Sequence, residues 1–354
     1  MIIIEANRLI SLYRRNWEGE MEELLSPSDV PSVEELKRQK RFMRVLNISD
    51  IRRSMRFNPI QLKYLPTLQD TTAFAEKLLN VTGITGETFY MKAAADFLAA
   101  CLWFFMNYRK KPYDTEGNML CPEYREDPET HHQILTGRVF LTEEFRNMAE
   151  KDSIKKRVNS VGLTEPAFWL GKYSDMPHVL SFLNHDEEVM FEVLKTDPEI
   201  YSLINPFITA YNWKAWEQLV EMIDTLRIMI SRLASKELFW ILHRDGDDFD
   251  LSDKFCHDYL MIVGSPTHQL LLKPFSQLVT GLVPSGEPHK YNISEGYKWG
   301  AYNMIYEAAC SVNPYSFDSR EAQERVLYAN FYGVQKDIDE MVTEIMHEYA
   351  FRED

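Results

Sequence analysis

An α/β fold, predominantly α-helical, is predicted by three features of the sequence. A run beginning at Trp216 places Leu219, Val220, Ile223, Leu226, Ile230 and Leu233 at spacings of three and four, the period of one buried helix face. Two short apolar runs follow, 238–243 and 259–264, and strands set between helices imply a sheet that carries helices. Hydrophobic residues make up 45% and aromatic residues 13% of the 354 positions, enough to fill a large core and unlike a disordered acidic chain. A length above roughly 250–300 residues suggests two domains or one large domain with an insertion. The segments divide into 1–60 (helices and a strand of the α/β part), 61–236 (mainly helical, with an insertion at about 110–175), 237–290 (strands and a helix of the α/β part) and 291–354 (a C-terminal helical tail).

In chain order, 5–41 reads as a helix-loop-helix around the break from Ser26 to Ser32, with Ser32 capping a helix that carries Glu34 and Glu35. Residues 41–48 alternate as a strand, and the turn at Asn58-Pro59 follows because the residue before proline is pushed out of helical space. Helical periodicity covers 70–82 and 87–109, two helices expected to pack together. In the second, Phe89, Ala93, Phe97, Cys101 and Phe105 form one stripe. From 110 to 175 the periodicity weakens around Pro112, Pro122 and Pro128, apart from a helical pattern at 140–157. Pro177 opens a short helix to 183, a second short helix starts after Asn184, and the long helix runs from Asn205-Pro206 to about 236. An acidic connection with Asp245, Asp247, Asp248, Asp250, Asp253 and Asp258 joins the two strands; helical pattern resumes at 267–283, 294–311 and 318–350.

The formal net charge of −15 argues against a chain coated in nucleic acid, but a local basic patch still acts within a Debye length of about 8 Å. Between 36 and 56 Asp50 is the one acid among eight bases, and Lys37, Arg38, Lys40, Arg41, Arg52, Arg53 and Arg56 are the candidate nucleic-acid contacts, beside Arg44. Trp213 and Trp216, and the Trp103-Phe104-Phe105 run, have the chemistry of base-stacking platforms, yet their apolar surroundings assign them to the core. The aspartates of 245–258 do not make a calcium loop, since counting from Asp245 puts Phe249 at position 5 and Cys256 at position 12. His131-His132 and Cys256-His257 lack a second pair at zinc spacing, and no nucleophile elbow is present, so no catalytic residue, cofactor or metal ligand is assigned. Cys101, Cys121, Cys256 and Cys310 form no C-x-x-C pair and no secretory signal opens the sequence, so a reduced cytosolic setting is expected. The most apolar run, 93–106, falls short of the roughly 20 residues of a membrane span and is expected to be a core helix.

Several strings recur in a definite order. They are Val45-Leu-Asn-Ile-Ser-Asp50, Arg56-Phe-Asn-Pro-Ile60, Phe97-Leu-Ala-Ala-Cys-Leu-Trp-Phe-Phe105, Pro177-His-Val-Leu-Ser-Phe182 and Asn205-Pro-Phe207. Leu219, Thr225-Leu-Arg227, Ser231-Arg-Leu233, Asp248-Phe-Asp-Leu251 and Leu260-Met-Ile-Val-Gly264 continue the order. Together, over roughly 40–110 and 176–283, they resemble the TraG-like type IV coupling proteins of conjugative elements. Members of that family are membrane-anchored hexameric ATPases that bind the relaxase–DNA complex. The resemblance therefore implies a remnant of a RecA-like nucleotide-binding sheet with a large helical domain, at the inner face of the cell membrane through partners. Those partners are the relaxase, other transfer proteins or single-stranded DNA, and an oligomer is compatible with it.

The motor's own parts are missing. No G-x-x-x-x-G-K-[ST] string occurs: Gly281 and Gly286 have the spacing but are followed by Glu287 and Pro288, and Gly171-Lys172 has no glycine five residues earlier. The acidic metal-binding strand expected after Gly264 is replaced by Val283-Pro-Ser-Gly-Glu-Pro-His-Lys290, while Arg325-Val-Leu-Tyr-Ala-Asn-Phe331 resembles the family's C-terminal tail. The expectation is a coupling-protein-like component that binds transfer proteins or DNA without its own ATP hydrolysis. The alternatives are a subunit of a split motor whose nucleotide motifs come from another polypeptide, and a decayed remnant.

Overall fold

The computed structural model describes residues 2–5, 8–15, 21–23, 43–81, 88–113, 124–126, 133–135, 168–244, 259–280 and 319–350. Its strands are β1 (Ile2–Glu5), β2 (Arg8–Arg15), β3 (Met21–Glu23), β4 (Met43–Asn47), β5 (Lys111–Tyr113), β6 (Tyr124–Glu126), β7 (Gln133–Leu135), β8 (Phe168–Leu170) and β9 (Tyr259–Gly264). The helices are α1 (Leu68–Asn80), α2 (Thr88–Asn107), α3 (Met176–Phe182), α4 (Glu187–Leu194), α5 (Tyr201–Asn212), α6 (Trp216–Ile230), α7 (Lys236–Ile241), α8 (Gln269–Thr280) and α9 (Arg320–Ala350). The fold is predominantly helical.

One mixed sheet joins the two ends of the α/β part. Strand β9 lies between β4, which runs parallel to it, and β2, which runs antiparallel, while β1 and β3 share the other edge of β2. Leu260, Met261, Ile262 and Val263 are all buried, so β9 reads as a continuous apolar run instead of an alternating one, the mark of a strand covered on both faces. The helix-loop-helix expected over 5–41 is thus corrected at 8–15 and 21–23, where the chain forms strands. Ile10 and Tyr13 are good strand formers, and pairing with β9 overrides the weak helical periodicity. The helix expected after Ser32 lies outside the described residues.

The helical part is built on α2. From Ala93 to Met106 all its residues but Asp96 are buried, so this helix is apolar on every side and must be surrounded. Helix α1 packs along it, capped by the Thr67 hydroxyl on the Asp70 amide. Aromatic rings lock the others on: Phe97 meets Phe207 of α5 at 4.8 Å and Phe191 of α4 at 6.1 Å, and Phe105 meets Phe182 of α3 at 5.4 Å. The stripe expected on α2 holds except at Phe89, which is 55% exposed on the first turn. The segment Phe89–Asn107 is long and apolar enough to cross a membrane, and most of it is buried inside this fold.

The long helix expected to 236 is divided. Helix α5 starts before Pro206 and ends at Asn212, and Lys214, with φ of +57°, turns the chain into α6. On α6 the buried face is Leu219, Met222, Ile223, Leu226, Met229 and Ile230; Trp216 and Val220 lie outside it. The strand expected over 238–243 is the helix α7. Ser235 caps it by accepting from the Leu238 amide, and Leu238, Phe239 and Ile241 are buried together. A short run this apolar carries no periodicity to tell strand from helix.

The insertion has a defined neck, because β5 and β8 pair antiparallel from Lys111↔Leu170 to Tyr113↔Phe168, with the β6–β7 hairpin inside the excursion. Helix α9 is no solvated tail: Leu327, Val334, Ile338, Met341 and Ile345 recur on one face and are buried against α3, α4 and α7. The buried residues from Leu46 to Ile345 form one continuous core cluster. The patterns at 140–157 and 294–311 and the acidic connection 245–258 lie outside the described residues.

Candidate functional site

Asp175 is the hub of a buried polar cluster. As N-cap of α3 it accepts a hydrogen bond from the His178 amide (2.8 Å) on Oδ1, which also lies 2.7 Å from Nδ1 of the His178 ring. Its other oxygen accepts from the Arg244 amide at 2.8 Å. One carboxylate therefore ties the start of α3 to the chain leaving α7, and this brings His243 beside His178, their ring centroids 5.5 Å apart and tilted by 44°. Behind it, Asn58 donates to the Ser174 carbonyl at 2.8 Å and the Ser174 hydroxyl donates to the Ile60 carbonyl, so the Asn58-Pro59 turn holds the residue before Asp175 in place.

The far side of the His178 ring faces the C-terminal helix, with Nε2 3.4 Å from Asp337 Oδ2 of α9. Asp175 and His178 are fully buried, while the Asp337 side chain is 44% exposed and opens the cluster to solvent. Burial opposes the charge on Asp175, but the charge and hydrogen bond of His178 outweigh it and hold the carboxyl at about 2. Burial likewise disfavours a charged His178, and the adjacent Asp175 more than reverses this, raising the imidazole to about 9. The hydrogen bond to His178 keeps Asp337 below the usual carboxylate range. Asp175, His178 and His243 each offer a ligand atom within 4.8 Å of the others, and they are the group among the described residues that could hold a metal ion.

The expected nucleic-acid patch is split by the fold. Lys37, Arg38, Lys40 and Arg41 lie outside the described residues, and Arg44 is half-buried on β4. Arg52 and Arg53 reach the surface beside Asp50, at 2.8 and 3.8 Å. Arg56 is buried: its Nε donates to the Trp240 carbonyl at 3.0 Å and its guanidinium lies 4.0 Å from the centre of the Trp240 ring, which removes it from any phosphate-facing surface. Of the aromatic groups, Trp103, Phe104 and Phe105 are core residues as expected, whereas Trp213 is 80% and Trp216 49% exposed. Both flank the turn at Lys214, which lifts them off the apolar face.

The loop after β4 closes on itself. Asn47 Oδ1 accepts from the Ser49 amide (3.1 Å), the Asp50 amide (3.0 Å) and the Ser49 hydroxyl (2.9 Å), and the Asp50 carboxylate accepts from the Arg52 amide at 3.2 Å. The Asp175 cluster was missed by sequence reasoning. Its only local signal is Asp-x-x-His at a helix start, while His243 and Asp337 stand 65 and 159 positions beyond His178. No family model, curated protein or solved structure matches the chain.

Proposed function

We propose that the chain is a coupling-protein-like component of conjugative DNA transfer, a RecA-like sheet remnant with a large helical domain, which binds transfer proteins or DNA and hydrolyses no ATP itself. The observation that supports this reading is the loop after β4. In α/β sheets a ligand binds beyond the carboxyl ends of parallel strands, where free backbone N–H groups cradle its phosphates. Strands β4 and β9 are the parallel pair here, and the Ser49, Asp50 and Arg52 amides beyond β4 already donate to Asn47 and Asp50. The Asp50 carboxylate lies at the same point, paired with Arg52 at 2.8 Å and Arg53 at 3.8 Å. On this reading the chain keeps the frame of a nucleotide-binding sheet, while the backbone amides that would cradle a nucleotide's phosphates are committed within the loop.

Partners on this reading are the relaxase, other transfer proteins or single-stranded DNA, at the inner face of the cell membrane. Calorimetric titration of the chain with Mg-ATP tests it: no saturable heat is expected up to millimolar nucleotide, and a micromolar Kd would reject the reading. Fluorescence anisotropy with a single-stranded oligonucleotide tests the DNA arm. Each phosphate contact through Arg52 or Arg53 contributes a salt slope near −0.7, so Arg52→Ala with Arg53→Ala should flatten the slope by one to two such steps. An unchanged slope would leave protein partners alone.

A further inference from the structure

We propose that His178, His243 and Asp337 hold a divalent transition-metal ion of the zinc class, with Asp175 as the carboxylate that orients His178 toward it. Three stretches of chain far apart in sequence converge here: Asp175, His178 and His243 have ligand atoms within 4.8 Å of one another, and Asp337 Oδ2 lies 3.4 Å from His178 Nε2. The inner carboxylate is committed: Asp175 accepts the His178 amide, the His178 Nδ1–H and the Arg244 amide, three of its roughly four lone-pair directions. A carboxylate holding one ring nitrogen is the usual second-sphere partner of a metal-bound histidine, fixing the tautomer and leaving Nε2 as the ligand.

His178 Nε2 points at Asp337, and their separation is informative. At 3.4 Å it is long for a charge-assisted hydrogen bond, which runs about 2.7–2.9 Å. It equals the edge between two ligands of a tetrahedral ion with bonds of about 2.0–2.1 Å. His243 is placed by the neighbouring Arg244 amide, which donates to Asp175, and its ring centroid lies 5.5 Å from that of His178. Two imidazole nitrogens and one carboxylate oxygen suit zinc and its neighbours, whereas calcium and magnesium take oxygen ligands. The half-exposed Asp337 gives the ion a way in and leaves the fourth position to water. Binding transfers the Nε2 proton of His178 to solvent, since only the neutral ring coordinates. The ion would join α3, the end of α7 and α9, closing the C-terminal helix onto the body.

The test uses the full chain, stripped with a chelator, dialysed and titrated with Co²⁺ while its visible absorption is followed, then with Zn²⁺ in competition. One equivalent of Co²⁺, bound with proton release and showing the intense bands of a four-coordinate site, then displaced by Zn²⁺, is expected. His243→Phe keeps a ring in place and leaves the Asp175–His178 hydrogen bond intact; it and Asp337→Asn should each weaken binding by at least about tenfold, with circular dichroism unchanged. His178→Ala strands a buried carboxylate and is used only if it folds. If the parent chain binds no cobalt, or if His243→Phe and Asp337→Asn, both folded, bind it as the parent does, the cluster is an ion pair and the proposal falls.

Discussion

A Cβ built on Gly171 would stand 2.1 Å from the Phe105 carbonyl oxygen and 2.9 Å from that of Met106. Both atoms are helix backbone and cannot swing aside. Gly171→Ala should therefore push the chain before α3 off α2 and destabilise the protein by about 2–3 kcal/mol, the upper range of overpacking, measured by urea denaturation. The same glycine, read along the chain, is only half of a failed phosphate loop, because its packing role depends on a helix end more than sixty positions earlier. Asp175 and His178 carry a pH signature of the same non-local kind. In metal-free protein, burial disfavours the His178 charge, Asp175 outweighs it, and the imidazole sits at about 9 against an ordinary 6.5. A raised folded value means the ion pair contributes fully below pH 6.5 and is lost as pH rises to 9. Asp175, held at about 2 by His178 and His243 despite its burial, stays ionised throughout that window. In chelator, Tm should thus fall between pH 6.5 and 9, and His178→Gln should remove that slope; a parent Tm flat across the window would contradict it.

Among the elements, α1, α2 and β9 were legible in the sequence: a periodic run, a long apolar run, and a short apolar run whose Ile262 and Val263 favour a strand. The misreading of 8–15 and 21–23 has a non-local cause: β2 is held by pairing with β9, some 250 positions later, and β3 in turn by pairing with β2. Helix α9 was legible as a helix but not as core, since its charge masks a spaced apolar face. Two substitutions separate the contributions. Ile338 is fully buried, so Ile338→Ala should cost about 2–5 kcal/mol while Ile338→Val costs about 0.5–1.5. Arg109 pairs with Glu344 at 3.1 Å and Glu348 at 3.2 Å, but all three side chains are exposed, so Arg109→Ala should cost under about 1 kcal/mol. Denaturant midpoints that ranked Arg109 above Ile338 would mean that the helix is held by charge and not by its apolar face.

At the scale of the molecule, the buried residues from β4 to α9 form one core cluster, so the sheet and the helical layer should unfold together. The excursion between β5 and β8 is the exception the topology allows. Its two ends are already paired, Tyr113 opposite Phe168, and immediately beyond the pair the Lys172 amide donates to the Tyr108 carbonyl at 2.8 Å. The neck is thus closed by hydrogen bonds that belong to the body, in a register that a short hairpin turn can bridge. Replacing 114–167 by a four-residue turn should keep one cooperative calorimetric transition. Shortening a closed loop returns only about 0.6 kcal/mol per halving, so Tm should move upward by no more than a few degrees. Mg-ATP should still give no heat. A broad or split transition, or loss of the helical circular dichroism, would instead make the excursion part of the core and move the boundary of the body away from the β5–β8 pair.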